Sequence, residues 1–142
     1  MRRFIFFLVL LTASFQMTAQ NTVTVFINNK KAAGAIINPD KTDAVLIIKK
    51  SKYKKLKPFI LVVSGEYIGS EAYKRSLEIS GETSIILNEI KNHLGHFDLS
   101  DSKTVKLLLT RKSMPVYLLL NPSNPAMAIP SRRVFLGNVV MN

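Results

Sequence analysis

Polar and apolar residues alternate along this chain in short stretches, several with the period of two that belongs to strands. In TVTVFIN, residues 22–28, Val23, Val25 and Ile27 fall on one parity and Thr22, Thr24 and Phe26 on the other. β-Branched side chains dominate, which suits a pleated surface. The segment through residue 34 then reads as a turn, followed by the short apolar AGAII and a second turn, NPDKTD. AVLIIKK reads as a strand, and PFILVV as another with Pro58 at its start, where a missing N–H is tolerated. In residues 72–80, Tyr73, Arg75, Leu77 and Ile79 share one parity while Lys74, Ser76, Glu78 and Ser80 share the other. Arg75 is the one charge on the apolar side.

The period changes in residues 83–95. Ile86, Leu87, Ile90 and Leu94 have helical spacing, Thr83 is placed to cap and Gly95 to terminate, so one short helix is predicted near 83–94. KTVKLLLTR (103–111), PVYLLL (115–120) and RRVFLGNVV (132–140) are expected to be the last strands. Seven or eight short strands with turn-rich connections predict an all-β fold, a β-sandwich of immunoglobulin-like architecture. The alternative is α+β, if 83–94 packs as a long helix on one face of a single sheet. No repeat or linker divides residues 21–142, which are expected to form a single domain.

Ahead of that domain, MRRFIFFLVLLTASFQMTAQ joins Arg2 and Arg3 to the apolar run Phe4 to Leu11 and then to small and polar residues. This layout predicts a signal peptide over 1–20, cleaved near Ala19 or Gln20, because the run is too short to span a bilayer. The Ala-Gln ending resembles leaders common in Bacteroidota, which implies a bacterial source. The mature protein is therefore expected in the periplasm or secreted, with no later apolar run of transmembrane length. Without any cysteine, the chain has no lipidated cysteine, disulfide or thiolate metal site.

The charge is large and uneven. The net charge is +11, and about +9 remains once Arg2 and Arg3 are removed. Bases dominate residues 30–57 and 103–133, while residues 66–101 are acidic. The densest stretch, KKSKYKKLKP, lies between AVLII and FILVV and reads as a projecting hairpin. Its lysines could act as gatekeepers that keep two aggregation-prone strands soluble. They could instead contact an anionic glycan or lipid, with Tyr53 as a stacking platform. The candidate binding residues are Lys50, Lys52, Tyr53, Lys54 and Lys55, with Arg132 and Arg133 a second patch. The leader and the absence of a recognition motif argue against nucleic acid.

Catalytic signals are few. His93, His96 and Asp98 are the only combination suggesting a metal site, and their spacing across Gly95 leaves their convergence open. Ser51 and Ser100 each stand three residues before a lysine, a spacing that composition alone accounts for. No nucleophile elbow, zinc-helix motif, phosphate loop or dinucleotide fingerprint occurs, so no cofactor is expected. The sequence is therefore read as an exported, non-catalytic binding or structural module of the bacterial cell envelope that contacts a protein partner. Binding of anionic glycan or lipid through the lysine-rich segment is the alternative, and a metal-dependent hydrolase the minor one.

Overall fold

The computed structural model describes residues 20–142, so the predicted leader lies outside the described residues except for Gln20. The first strand, β1 (Thr22–Ile27), turns through Asn28 and Asn29 into β2 (Lys30–Ile36). Both asparagines have positive φ, 52° and 63°, the conformation a two-residue hairpin requires. The predicted turn is thus confined to two residues, and Lys30 to Gly34 are already strand. The chain continues through β3 (Val45–Ile48), β4 (Phe59–Ser64), β5 (Tyr73–Ile79), β6 (Ile85–Asn88) and β7 (His96–Asp98). Helix α1 (Ser102–Arg111) precedes the long strands β8 (Ser113–Pro122) and β9 (Arg132–Met141).

These strands form two sheets, β2-β1-β4-β7 and β3-β9-β8-β5-β6. All pairings are antiparallel except β3 with β9. The order β9-β8-β5-β6 is that of strands G-F-C-C′ in an immunoglobulin variable-type sandwich, and β1-β4-β7 is that of A-B-E. Between the sheets lies one apolar core. Val23, Val25, Ile27, Leu61, Val63 and Phe97 face it from the first sheet, and Leu46, Leu77, Val116, Leu118, Leu136 and Val139 from the second. The alternation read from the sequence is the cause, except on β9, where a bulge at Leu136 and Gly137 switches the inward parity so that both Leu136 and Val139 face the core.

Two helix and strand assignments are exchanged. Residues 83–94 are not a helix but the edge strand β6 and a turn. Leu87 pairs with Leu77 and Ile85 with Ile79, so Leu87 alone of the apparent helical stripe packs against the core, beside Ile85, while Ile86 stays 53% and Leu94 60% exposed. The helix lies instead in 102–111, where alternation predicted a strand. Asp101 caps it: one carboxylate oxygen accepts the N–H groups of Lys103 at 3.1 Å and Thr104 at 3.3 Å. Thr104 and Leu108, one turn apart, are its buried residues.

The KKSKYKKLKP segment is also not a hairpin. β3 belongs to the five-stranded sheet and β4 to the four-stranded one, so the segment crosses between sheets at one end of the sandwich. The loop after β8, by contrast, joins neighbours within one sheet. It does not pass between sheets, and Met127 on it is 41% exposed.

Arg75, the misfit, points inward at the opposite end and has a partner. Its Nε donates to Glu89 Oε2 at 2.6 Å and its Nη2 to Glu89 Oε1 at 3.2 Å, while Nη1 donates to the Ser70 carbonyl at 3.0 Å. Glu89 Oε2 also accepts the Gly95 N–H at 2.7 Å. The side chains are only 8% and 18% exposed. Burial raises the carboxyl pKa of Glu89, but the hydrogen bonds from Arg75 and Gly95 and the charge of Arg75 outweigh it, leaving it below the ordinary glutamate value.

Candidate functional site

Strand pairing fixes which residues share an end of the sandwich. Ile27 opposes Phe59, Ile60 opposes Asp98, Ile79 opposes both Ile85 and Val116, and Ser113 opposes Val140. In the parallel pair, Ile48 stands beside Met141. The β1–β2 turn, the lysine-rich crossover and α1 therefore gather at one end. Backbone and side-chain hydrogen bonds tie them there. The Lys50 N–H donates to the Asn142 carbonyl at 2.9 Å, the Met141 N–H to that of Lys112 at 3.0 Å, and the Asn28 amide to that of Lys55 at 3.1 Å.

This convergence changes the charge map. The end carries Lys30 and Lys31 beside the turn, Lys49, Lys50, Lys52, Lys54, Lys55 and Lys57 on the crossover, and Lys103, Lys106, Arg111 and Lys112 on and after the helix. Against these stand only Glu82, Asp98 and Asp101. Asp101 is engaged as the helix cap, and Glu82 pairs with Arg111 at 3.1 Å. In the remainder of the domain, Lys41, Lys74, Arg75, Lys91, Arg132 and Arg133 are matched in number by Asp40, Asp43, Glu66, Glu71, Glu78 and Glu89. The whole excess of about +9 over residues 20–142 thus sits at one end. We call it the basic pole.

The predicted binding residues divide accordingly. Lys50 and Lys52 lie in one turn of 3-10 helix, Lys50–Lys52, not on the extended arm of a hairpin. Both are exposed, as are Lys54 and Lys55. Tyr53 is half-buried and packs against the core.

Arg132 and Arg133 start β9, at the far end from Met141. Ten strand residues separate the two ends by roughly 30 Å, nearly four screening lengths at physiological salt. The two arginines therefore do not add to the pole's field. Arg133 is also matched locally, donating to Glu78 at 2.7 Å and lying 3.6 Å from the Tyr117 ring centroid. Its pKa is raised, chiefly by the Glu78 hydrogen bond. Arg132 lies 5.7 Å from the centroid of the Tyr67 ring.

The rings of His93 and His96 do meet, with centroids 5.7 Å apart. Their surroundings give them no third ligand. His96 Nδ1 lies 2.9 Å from the Leu94 carbonyl, and Asp98 accepts the Ser100 N–H at 2.8 Å. Among the described residues no group of three or more histidines, aspartates or glutamates could hold a metal ion. Ser100 Oγ accepts the Phe59 N–H at 2.8 Å, a contact that fixes the start of β4.

Sequence reasoning missed the groove between the crossover and α1, about 480 Å³, with Leu56, Val105 and Leu109 on its floor and Lys55, Lys57 and Lys106 at its rim. A second trough of about 300 Å³ lies on the other flank of the helix, between Lys106, Arg111, Ile85 and Leu107. The Asp101 cap was the signal that could have revealed the helix and hence both troughs. Among the described residues no helix is long and apolar enough to cross a membrane. No family model, curated protein or solved structure matches the chain.

Proposed function

We propose that the protein is an exported, non-catalytic module that attaches to an anionic partner of the cell envelope through the basic pole. One observation carries this reading: the crossover, the β1–β2 turn and α1 bring the entire excess charge to one end, while the rest of the domain is balanced. A gatekeeping role explains lysines beside β3 and β4, but not Lys103, Lys106, Arg111 and Lys112 on a helix at the same end. Clustered like charge raises the local concentration of counter-charged ligands and speeds their capture.

Binding to a sulfated polysaccharide and to phosphatidylglycerol vesicles tests it. Affinity for at least one should fall steeply between low and physiological salt. It should collapse when Lys52, Lys54 and Lys55 are changed to glutamate and stay within about twofold when Arg132 and Arg133 are changed, since that patch lies beyond the range of screening. Salt-indifferent binding, or equal damage from both sets, refutes the reading.

A second reading has its own support. On the outer face of the five-stranded sheet, Ile86, Glu78, Tyr117 and Phe135 form one cross-strand row, with Arg133 stacked on Tyr117. Tyrosine, arginine and an exposed aliphatic in one patch have the composition of a protein-binding hot spot. Capture from envelope extracts should then yield one protein that Arg133→Glu loses and the lysine substitutions retain. Capture unaffected by Arg133→Glu refutes it.

A further inference from the structure

The basic pole is not uniformly polar, and that distinguishes among anionic partners. Between the crossover and α1 runs an apolar floor of Leu56, Val105 and Leu109, with Lys55, Lys57 and Lys106 at its rim. Leu109 is 38% exposed among these cations. A soluble polyanion would satisfy the lysines and leave the floor wet. Sugars bind most readily on open aromatic faces, and the one aromatic ring of the crossover, Tyr53, is packed against the core. An anionic bilayer supplies both parts: headgroup charge for the ammonium groups and acyl chains for the floor. Lysine stems suit this arrangement, since they lie along apolar surface while their charged ends reach outward.

We propose that the basic pole docks peripherally on an anionic phospholipid bilayer, with acyl chains entering the groove between Lys55–Lys57 and α1 around Leu109. The proposal rests on the anionic-partner reading and narrows it to one partner. Nothing spans the membrane in this arrangement. The helix lies along the headgroup layer, and the two troughs that flank Lys106 and Thr110 accept the chains.

The test uses residues 20–142, which contain every described strand and the whole described core. The chain has no tryptophan, so Leu109→Trp installs a single indole at the groove, and Met127→Trp installs one at the opposite end as a control. Circular dichroism establishes that each variant is folded. With phosphatidylglycerol vesicles, Leu109→Trp emission should shift to the blue and be quenched by brominated acyl chains, while Met127→Trp emission should do neither. Changing Lys55, Lys57 and Lys106 to glutamine should weaken partitioning by about 100-fold, from roughly a fivefold loss per cation. Leu109→Ser should weaken it several-fold with the charges intact.

Vesicle binding with an unshifted, unquenched Leu109→Trp overturns insertion and leaves the electrostatic reading standing. A soluble sulfated polysaccharide that displaces vesicles at equal charge also overturns it, in favour of a glycan. Failure to bind any anion overturns both readings.

Discussion

Replacing Glu89 by glutamine removes the charge at the Arg75 node without changing its volume. Three N–H groups converge on the carboxylate: Arg75 Nε and Gly95 N on Oε2, and Arg75 Nη2 on Oε1. A glutamine oxygen at the Oε2 position can keep two of them, but its amide then faces Nη2 donor to donor. One charge-assisted hydrogen bond is lost, a contribution of about 1.5–3 kcal/mol. The guanidinium also stays in a site where it is 8% exposed and has lost its counter-charge. Breaking such a pair from one side costs about 3–5 kcal/mol, and residual solvent access on the Glu89 side places the expected loss near 3 kcal/mol.

Against a typical domain stability of about 5–15 kcal/mol, that loss is large, and the urea midpoint should fall by about 1–3 M. Far-UV circular dichroism follows the transition. The pH dependence supplies the sign. Because the fold lowers the carboxyl pKa of Glu89, its ionic stabilisation is complete above the unfolded value of about 4.3 and is lost as pH falls through the lower folded value. The gap between wild type and Glu89→Gln should therefore hold constant from pH 7 to about 5 and narrow below about 4. A loss under about 1 kcal/mol at pH 7, or a gap that does not narrow in acid, refutes an ionised, buried pair.

Gly95→Ala tests the other side of the node: Gly95 has φ +76°, and a Cβ there would press on the Val63 carbonyl, so a loss of about 2–4 kcal/mol is expected in the same assay. A wild-type midpoint would show that the loop relaxes freely. Asp101→Ala removes the cap of α1 and should cost about 1 kcal/mol, lowering the melting temperature by roughly 3–5 °C. No change would mean that packing of Leu108 alone holds the helix.

Much of the sandwich was legible because a half-buried strand writes its inward face into alternate positions, as β1, β5 and β8 do. The helix was not. Val105, Leu107, Leu108 and Leu109 fit a strand, a helix or both, and only the Asp101 carboxylate reaching Lys103 and Thr104 decides the matter. Residues 83–94 failed the other way, since Ile86 and Leu87 are adjacent on a strand and take opposite faces. Arg75 was recognisable as an anomaly, but Glu89 was placed within the predicted helix and so was not seen as its partner. The lysines were conspicuous from the start. Their union with the cations of α1 was not, because it depends on β3 and β4 belonging to different sheets, a property of topology that no local pattern records.

Charge segregation makes the domain a strong electric dipole along its strands, and this sets a posture. A molecule drawn to a negative surface would arrive pole first and stand with its strands upright, raising Arg132, Tyr67 and the loop around Met127 roughly 30 Å into the surrounding fluid. Neighbours so aligned would repel sideways through their bases, so that coverage of the surface would stop well short of close packing at low salt and rise as salt screens them.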